Sequence, residues 1–122
     1  MIKLDTDKYL GIPFATADCY QFGSLLYFDY FGYPLPSLEY RIDSMKSMVL
    51  ASAKPTFIAI EKADLTYLDG IVFSSVECGR HVGYYLGDGL FIHQNINDFP
   101  SIEKLNGKKW SGKILGYYRY EP

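Results

Sequence analysis

The sequence has little of what marks several large classes of protein. It contains two cysteines, Cys19 and Cys78, among 122 residues, which is too few for a disulfide scaffold. It has 12 basic and 14 acidic residues, which give a net charge of −2. This balance argues against a protein that binds nucleic acid electrostatically. The longest apolar stretches, such as Phe22 to Phe31 without Asp29, are far short of the roughly 20 residues of a membrane span. We therefore expect no nucleic-acid partner and no insertion into a membrane.

The N-terminus also lacks a secretion signal. Residues 1–8 read Met-Ile-Lys-Leu-Asp-Thr-Asp-Lys, with neither an apolar region nor a small-residue cleavage site. We expect synthesis in the cytoplasm, so that any action outside the cell requires another route of delivery. No repeat or linker divides the chain, and we expect residues 1–122 to form a single domain.

A helix is predicted over Cys19–Phe31. Asp18 is a good N-cap, Gln21 occupies the capping-box position, and Gly32 is typical of a helix C-terminus. The helix is expected to be buried, because apolar side chains cover much of its surface: Phe22, Leu25, Leu26 and Phe28. A second helix is predicted over Leu38–Ala53, where apolar residues recur at helical spacing.

The second half of the chain changes to a strand pattern, with β-branched and aromatic segments bounded by Gly, Asp or Asn. The predicted strands are Thr56–Ile60, Ile71–Ser75, His81–Leu86, Leu90–Asn95 and Ile114–Tyr120. Helices first and strands afterwards are typical of an α+β fold, here N-terminal helices packed on a central antiparallel β-sheet.

The chain has two histidines, and one predicted hairpin with a Gly-Asp-Gly loop carries both. A two-residue loop would leave His81 and His93 on opposite faces. A three-residue loop with a left-handed last glycine pairs Leu86 with Leu90 and places Gly83 opposite His93. The two histidines are then diagonal neighbours on one face, about 7–8 Å apart at the backbone, and Gly83 leaves space for their rings.

Cys19 is predicted to lie at the first position of the first helix, where unpaired backbone N–H groups and the helix dipole favour a thiolate. A nucleophilic cysteine also needs an imidazole that takes its proton and a third polar group that orients the imidazole. Cys19, His81 and His93 can fill these roles in that order. Asn95 would lie opposite His81 and is an alternative orienting residue.

Three stretches carry a more specific signal. They are Asp18-Cys19 at a helix start, Tyr67-Leu68-Asp69-Gly70-Ile71-Val72-Phe73, and His81-Val82-Gly83-Tyr84-Tyr85-Leu86-Gly87-Asp88-Gly89-Leu90-Phe91-Ile92-His93. Together they resemble the NlpC family, papain-like cysteine peptidases of bacterial cell-wall peptides. The last stretch matches the family's His-Val-Gly-x-Tyr-x-Gly-x-Gly-x-x-x-His run position for position. The resemblance implies a papain-like NlpC fold.

The resemblance also implies an activity and residue roles. The activity is that of a cysteine endopeptidase acting on peptidoglycan stem peptides, often at the bond between D-γ-glutamyl and the diamino acid. Cys19 is then the nucleophile, His81 the general base and His93 the orienting residue. Asp18 binds the free amine of the substrate, and the Cys19 N–H helps to hold the oxyanion. No cofactor and no metal are implied.

The remaining residues of the expected substrate site are Phe14, Tyr20 and Gly83. Phe14 stands where many members of the family have a tyrosine whose hydroxyl assists the oxyanion. Tyr20 follows the nucleophile where a serine is usual, which alters the near side of the groove.

Within the family, Asp18-Cys19-Tyr20 and Gly32-Tyr33-Pro34-Leu35-Pro36 look most like the branch found in bacteriophage tails. This resemblance implies other tail-tip proteins as partners and a location in the virion, which would deliver the domain to the cell wall. A structural tail-tip assembly protein with little or no catalysis is the alternative, since the chain's 12 tyrosines suit an interface.

A zinc-binding module is a third possibility. Cys78 and His81 have the spacing of zinc ligands, and His93 with Cys19 could complete a Cys₂His₂ set. Otherwise Cys78 is a loop residue, or a redox partner that blocks Cys19 as a disulfide.

Overall fold

A computed structural model describes residues 2–36, 57–76 and 79–122. Besides three short 3₁₀ helices (Thr6–Lys8, Lys62–Asp64 and Ser111–Lys113), these ranges contain the helix α1 (Cys19–Phe31) and the strands β1 (Phe57–Ile60), β2 (Gly70–Ser75), β3 (Gly79–Gly87), β4 (Leu90–Gln94), β5 (Pro100–Lys104) and β6 (Ile114–Tyr120). The predicted helix Leu38–Ala53 lies outside the described residues. Within them, no helix is both long and apolar enough to cross a membrane.

The strands form one six-stranded sheet in the order β1-β6-β2-β3-β4-β5. Each neighbouring pair is antiparallel, and α1 packs against one side of the sheet through contacts with β3 and β4. The predicted α+β fold is therefore confirmed.

The predicted bounds of α1 are confirmed because local side-chain chemistry sets both ends. The Asp18 carboxylate accepts hydrogen bonds from the backbone N–H groups of Tyr20 and Gln21 at 3.1 and 2.9 Å. The Gln21 side chain accepts one from the Asp18 N–H at 3.0 Å, which completes the capping box. Gly32 ends the helix in the left-handed conformation, with φ of 84°.

The expectation that α1 is buried all round was wrong. Phe22 and Leu26 are fully buried against the sheet, whereas Phe28 is 57% exposed and Leu25 41% exposed. In the described part of the chain, the sheet covers only one side of the helix, so the apolar residues on its other side face outward.

Strand β5 was missing from the prediction. It is short, begins at Pro100 and lies at the edge of the sheet. A proline is tolerated there because an edge strand leaves some N–H groups outside the ladder. Its place in the sheet depends on pairing with β4, which a local pattern does not reveal.

The β3–β4 hairpin reaches the predicted register by a different route. Asp88 and Gly89 both have positive φ, 55° and 76°, which is the geometry of a two-residue type I′ loop. A bulge at Leu86 then shifts the ladder by one residue. The predicted pairing of Leu86 with Leu90 was wrong, but Gly83 lies opposite His93 as predicted.

The alternation of side chains along β3 divides the core into two parts. Val82 and Tyr84 point to the side of the sheet that α1 covers, which we call the helix face. His81 points to the other side, which we call the histidine face, where Phe73 and Phe91 form a second apolar cluster.

Candidate active site

Cys19 is the first residue of α1 and is 1% exposed. The Tyr84 hydroxyl donates a hydrogen bond to the Cys19 carbonyl at 2.8 Å. This bond ties the first turn of the helix to β3, three residues along the strand from His81.

Gly23 makes that bond possible. A Cβ at position 23 would lie 2.0 Å from atoms of the Tyr84 ring, so only glycine allows the ring to pass beneath the helix. The position of Cys19 therefore depends on a glycine one turn further along α1.

On the histidine face, His81 and His93 form a direct hydrogen bond. His81 Nε2 lies 2.7 Å from His93 Nδ1, and the ring planes are nearly perpendicular, with centroids 4.9 Å apart. His93 is fully buried and His81 is 7% exposed. The structure thus brings together the two histidines that the hairpin register predicted.

The role predicted for Gly83 differs from what the structure shows. A Cβ at position 83 would meet the Phe91 ring at 2.7 Å and the Phe73 ring at 3.3 Å. The space beside this buried glycine is therefore filled by two phenyl rings, and it neither holds the histidine rings nor opens into a groove.

Glu103 is the site residue that the sequence reasoning missed. Its carboxylate oxygen Oε2 is hydrogen-bonded to His93 Nε2. The Ser101 hydroxyl lies 3.2 Å from His93 Nε2 and 3.2 Å from Glu103 Oε2. Both residues are on β5, and the alternation of Ser101 and Glu103 about Ile102 was the signal that could have found them.

Asn95, the alternative orienting residue, is engaged elsewhere. Its amide donates to the Phe99 carbonyl at 2.7 Å and to the Ser101 hydroxyl at 2.9 Å. The ring nitrogen of His81 that faces β4 is bonded to His93.

Burial controls the protonation of this cluster. Desolvation, with repulsion from His93, lowers the pKa of His81 to about 3, although the Glu103 carboxylate opposes the shift. Desolvation also lowers the pKa of His93 against the same opposition. Burial works to raise the pKa of Glu103, but Trp110, His93 and Lys109 outweigh it and lower that pKa. At neutral pH, both imidazoles are neutral and Glu103 is a carboxylate.

Trp110 packs against both histidines. Its ring is stacked on His81, with centroids 5.9 Å apart, and is edge-on to His93 at 4.9 Å. The buried indole N–H has no acceptor within hydrogen-bond distance and geometry in the described part of the chain, but it lies close enough to the Glu103 carboxylate to lower the pKa of that group. The ammonium groups of Lys109 and Lys113 lie over the indole at 5.1 and 5.4 Å.

A cleft of about 290 Å³ opens beside His81. Its lining includes Ser74, His81, Asn95, Lys109, Trp110 and Lys113. The general-base candidate therefore borders a space into which a peptide segment can enter, with two cations at its wall.

The other predicted substrate residues lie around the start of α1. The Phe14 N–H donates to the Asp98 carbonyl at 2.9 Å, and the Phe14 side chain is half-buried. Asp18 caps the helix as described. Tyr20 is 6% exposed, and its hydroxyl donates to the Pro36 carbonyl at 2.7 Å, so it packs in the core of the helix face.

The zinc alternative depends on Cys78, which lies outside the described residues. In the three described ranges, the His, Cys, Asp and Glu side chains include no group of three placed to hold a metal ion.

Comparison with known proteins agrees with this architecture. The sequence model of the NlpC/P60 family matches residues 8–119. The Murein DD-endopeptidase MepS/Murein LD-carboxypeptidase of Escherichia coli strain K12 is 26% identical over 93 residues, which are 76% of this chain and 44% of that protein. The chain thus spans less than half the length of this curated relative.

Solved structures show the same fold. An NLP/P60-family protein from Staphylococcus aureus, described as similar to a lipoprotein, aligns with a TM-score of 0.64 and 21% identity over 99% of this chain and 44% of that one. The NlpC/p60 domain of the peptidoglycan hydrolase SagA aligns with a TM-score of 0.59 and 17% identity over 93% of this chain and 92% of that one.

Proposed function

The chain belongs to the NlpC/P60 family, and from that premise we propose that it is a cysteine peptidase that hydrolyses peptidoglycan stem peptides. The observation that carries the proposal is the buried hydrogen bond between His81 and His93. A second bond, from Tyr84 on the same strand as His81, holds Cys19 at a helix N-terminus. The similarity to a murein endopeptidase supports the substrate class.

In the proposed reaction, His81 takes the proton of the Cys19 thiol, and the sulfur attacks the carbonyl carbon of the scissile amide. The backbone N–H of Cys19 helps to stabilise the oxyanion of the tetrahedral intermediate. His81 then gives the proton to the leaving amine, and the C–N bond breaks to leave a thioester on Cys19. Water, deprotonated by His81, hydrolyses the thioester and restores the thiol. His93 holds the His81 ring in place throughout.

We propose the bond between D-γ-glutamyl and the diamino acid as the one that is cleaved. A γ-linked glutamyl residue keeps a free α-carboxylate, and the cleft beside His81 carries Lys109 and Lys113 at its wall. An exposed ammonium that binds this carboxylate would orient the acyl group toward the general base. Asp18, at the start of α1, is assigned to the free amine of the substrate.

The test is digestion of purified sacculi, with the soluble products identified by mass spectrometry. We expect the unmodified chain to release fragments cut after D-γ-glutamyl, and Cys19→Ala to release none while keeping its circular dichroism spectrum. Cys78→Ala is the matched control, because it removes the other thiol of the chain, and it should retain activity. Equal release by Cys19→Ala and the unmodified chain would refute the proposal.

We also propose that the protein is part of a bacteriophage tail tip and contacts other tail proteins there. The large apolar side chains that α1 exposes, Leu25 and Phe28, support an interface on its outer side. Mass spectrometry of purified tail particles should detect the chain. If particles carrying Cys19→Ala assemble and infect normally, the role in the tail is structural and catalysis is dispensable.

A further inference from the structure

Three side chains from three neighbouring strands form a continuous hydrogen-bonded line on the histidine face. His81 Nε2 contacts His93 Nδ1, and the other nitrogen of the same ring, His93 Nε2, contacts the Glu103 carboxylate. Each ring nitrogen of His93 therefore has a defined neighbour, and the line ends in an acid.

The Glu103 carboxylate at the end of the line determines which ring nitrogens of His93 and His81 carry protons. A carboxylate only accepts hydrogen bonds, so His93 Nε2 must carry a proton. A neutral imidazole has one proton, and therefore His93 Nδ1 carries a lone pair. That lone pair accepts from His81 Nε2–H, which leaves the remaining nitrogen of His81, Nδ1, unprotonated.

We infer that Glu103 is a positioning residue that fixes the tautomers of His93 and His81, so that His81 Nδ1 is the basic nitrogen. The catalytic meaning of this inference rests on the proposed function, because His81 Nδ1 is then the atom that takes the thiol proton. Without an acceptor at position 103, the opposite tautomer pair becomes available. His93 Nδ1–H would then donate to His81 Nε2, and His81 Nδ1 would carry the proton and could not act as a base.

The surroundings of the line favour this assignment. The Ser101 hydroxyl donates to Glu103 Oε2 at 3.2 Å, which suits an ionised carboxylate. The His93 ring is enclosed by Phe91 and Trp110, with centroids 5.1 and 4.9 Å away, so it has no room to turn over. Among the described residues, Lys109 is a charged group that acts on the line from outside it, and it favours the ionised form of Glu103.

The direct test is ¹⁵N NMR of the histidine ring nitrogens in the substrate-free chain at pH 7. We expect His93 to carry its proton on Nε2 in the unmodified chain. Glu103→Ala should produce a mixture of His93 tautomers. Glu103→Gln, whose amide oxygen can still accept from His93 Nε2–H, should keep the original tautomer and the fold. Glu61→Gln is the control, because Glu61 is exposed and makes no cap bond with its side chain, and it should change nothing.

Activity on stem peptides supplies the second readout. Glu103→Ala should lower kcat on the order of 10²-fold, the lower end of what general acid–base catalysis contributes, with Glu103→Gln intermediate. An unchanged His93 tautomer in Glu103→Ala would overturn the inference, as would a changed tautomer with an unchanged kcat. If the unmodified chain cleaves no peptide, the proposed function fails, and the NMR result still decides the role of Glu103 in setting the tautomers.

Discussion

The two faces of the sheet hold their side chains in place by different kinds of bond. On the helix face, tyrosine hydroxyls donate to backbone carbonyls: Tyr84 to Cys19, and Tyr27 to Leu68 at 2.7 Å. On the histidine face, the bonds join titratable groups, His81, His93 and Glu103. Burial raises the pKa of Tyr27, so the helix face keeps its protons across the neutral range. Cys19 is therefore held by a bond between groups that do not titrate in the neutral range, whereas His81 is held by bonds between titratable groups.

The largest expected effect is the pH dependence of the free energy of unfolding that the histidine face contributes. Between pH 6.5 and about 3, the unfolded chain binds a proton at His81 that the folded chain does not. The free energy of unfolding should therefore fall as the pH falls, by about 5 kcal/mol at most for this residue. Urea unfolding at a series of pH values measures it.

His81→Gln should flatten that pH dependence, because glutamine does not titrate. Tyr27→Phe is the control on the helix face, and its unfolding free energy should keep the slope of the unmodified chain. A slope that His81→Gln leaves unchanged would show that other groups cause the acid sensitivity.

The next largest effect is expected from a substitution in α1 that disturbs the packing of the helix face. Gly23→Ala places a Cβ where the Tyr84 ring lies, and overpacking of this kind costs about 3 kcal/mol. We expect a lower midpoint of urea unfolding and slower peptide cleavage, because Cys19 shifts with the first turn of α1. Gly112→Ala is the matched control, since a Cβ there meets nothing within 4 Å. Equal unfolding midpoints for the two variants would contradict the packing argument.

A smaller effect is expected from removing single tyrosine hydroxyls on the helix face, and it distinguishes a bond to Cys19 from a bond elsewhere. Tyr84→Phe and Tyr27→Phe each remove one hydroxyl and one hydrogen bond to a carbonyl, so each should cost about 1 kcal/mol of stability. Only Tyr84→Phe removes a bond to Cys19. We therefore expect the rate of Cys19 alkylation, followed by mass spectrometry, to change in Tyr84→Phe and to stay constant in Tyr27→Phe. The same rate in both variants would mean that the bond has no influence on Cys19.

The smallest effect concerns the cleft. Lys113→Ala removes an exposed cation from its wall, and exposed ion pairs contribute little, so KM for an acidic stem peptide should rise about two- to five-fold. Added salt should weaken binding by the unmodified chain and reduce the difference. Lys62→Ala, an exposed lysine on the short helix Lys62–Asp64, is the control. A KM that does not change in Lys113→Ala would remove this residue from the substrate site.

The sequence allowed prediction wherever neighbouring residues decide the structure. The capping box of Asp18 and Gln21 and the glycine at position 32 set the bounds of α1 without help from distant residues. The hairpin brings His81 and His93 to one face as predicted, although a two-residue loop with a bulge at Leu86, and not the predicted three-residue loop, sets its register. Both features depend on contacts within about a dozen residues.

Features that depend on distant contacts were not predictable. Strand β5 forms only by pairing with β4 at the sheet edge, and Glu103 was missed along with it. The exposure of Phe28 depends on what packs against α1, which its own apolar character does not reveal. The place of Tyr20 in the core was missed for the same reason, since it is set by a bond to the Pro36 carbonyl.

The bulge at Leu86 has a consequence for exchanging segments between members of the family. Side chains alternate along a strand with a period of two, so one extra residue inverts which of them share a face. With the tight Asp88-Gly89 loop and no bulge, Leu86 would pair with Phe91 and Tyr84 with His93, which would turn His81 and His93 to opposite faces. A graft whose loop favours regular pairing in place of the bulge would thus separate the two rings while leaving both histidines in the sequence. A transferred hairpin would therefore keep the contact between His81 and His93 only if its loop and its bulge are transferred together.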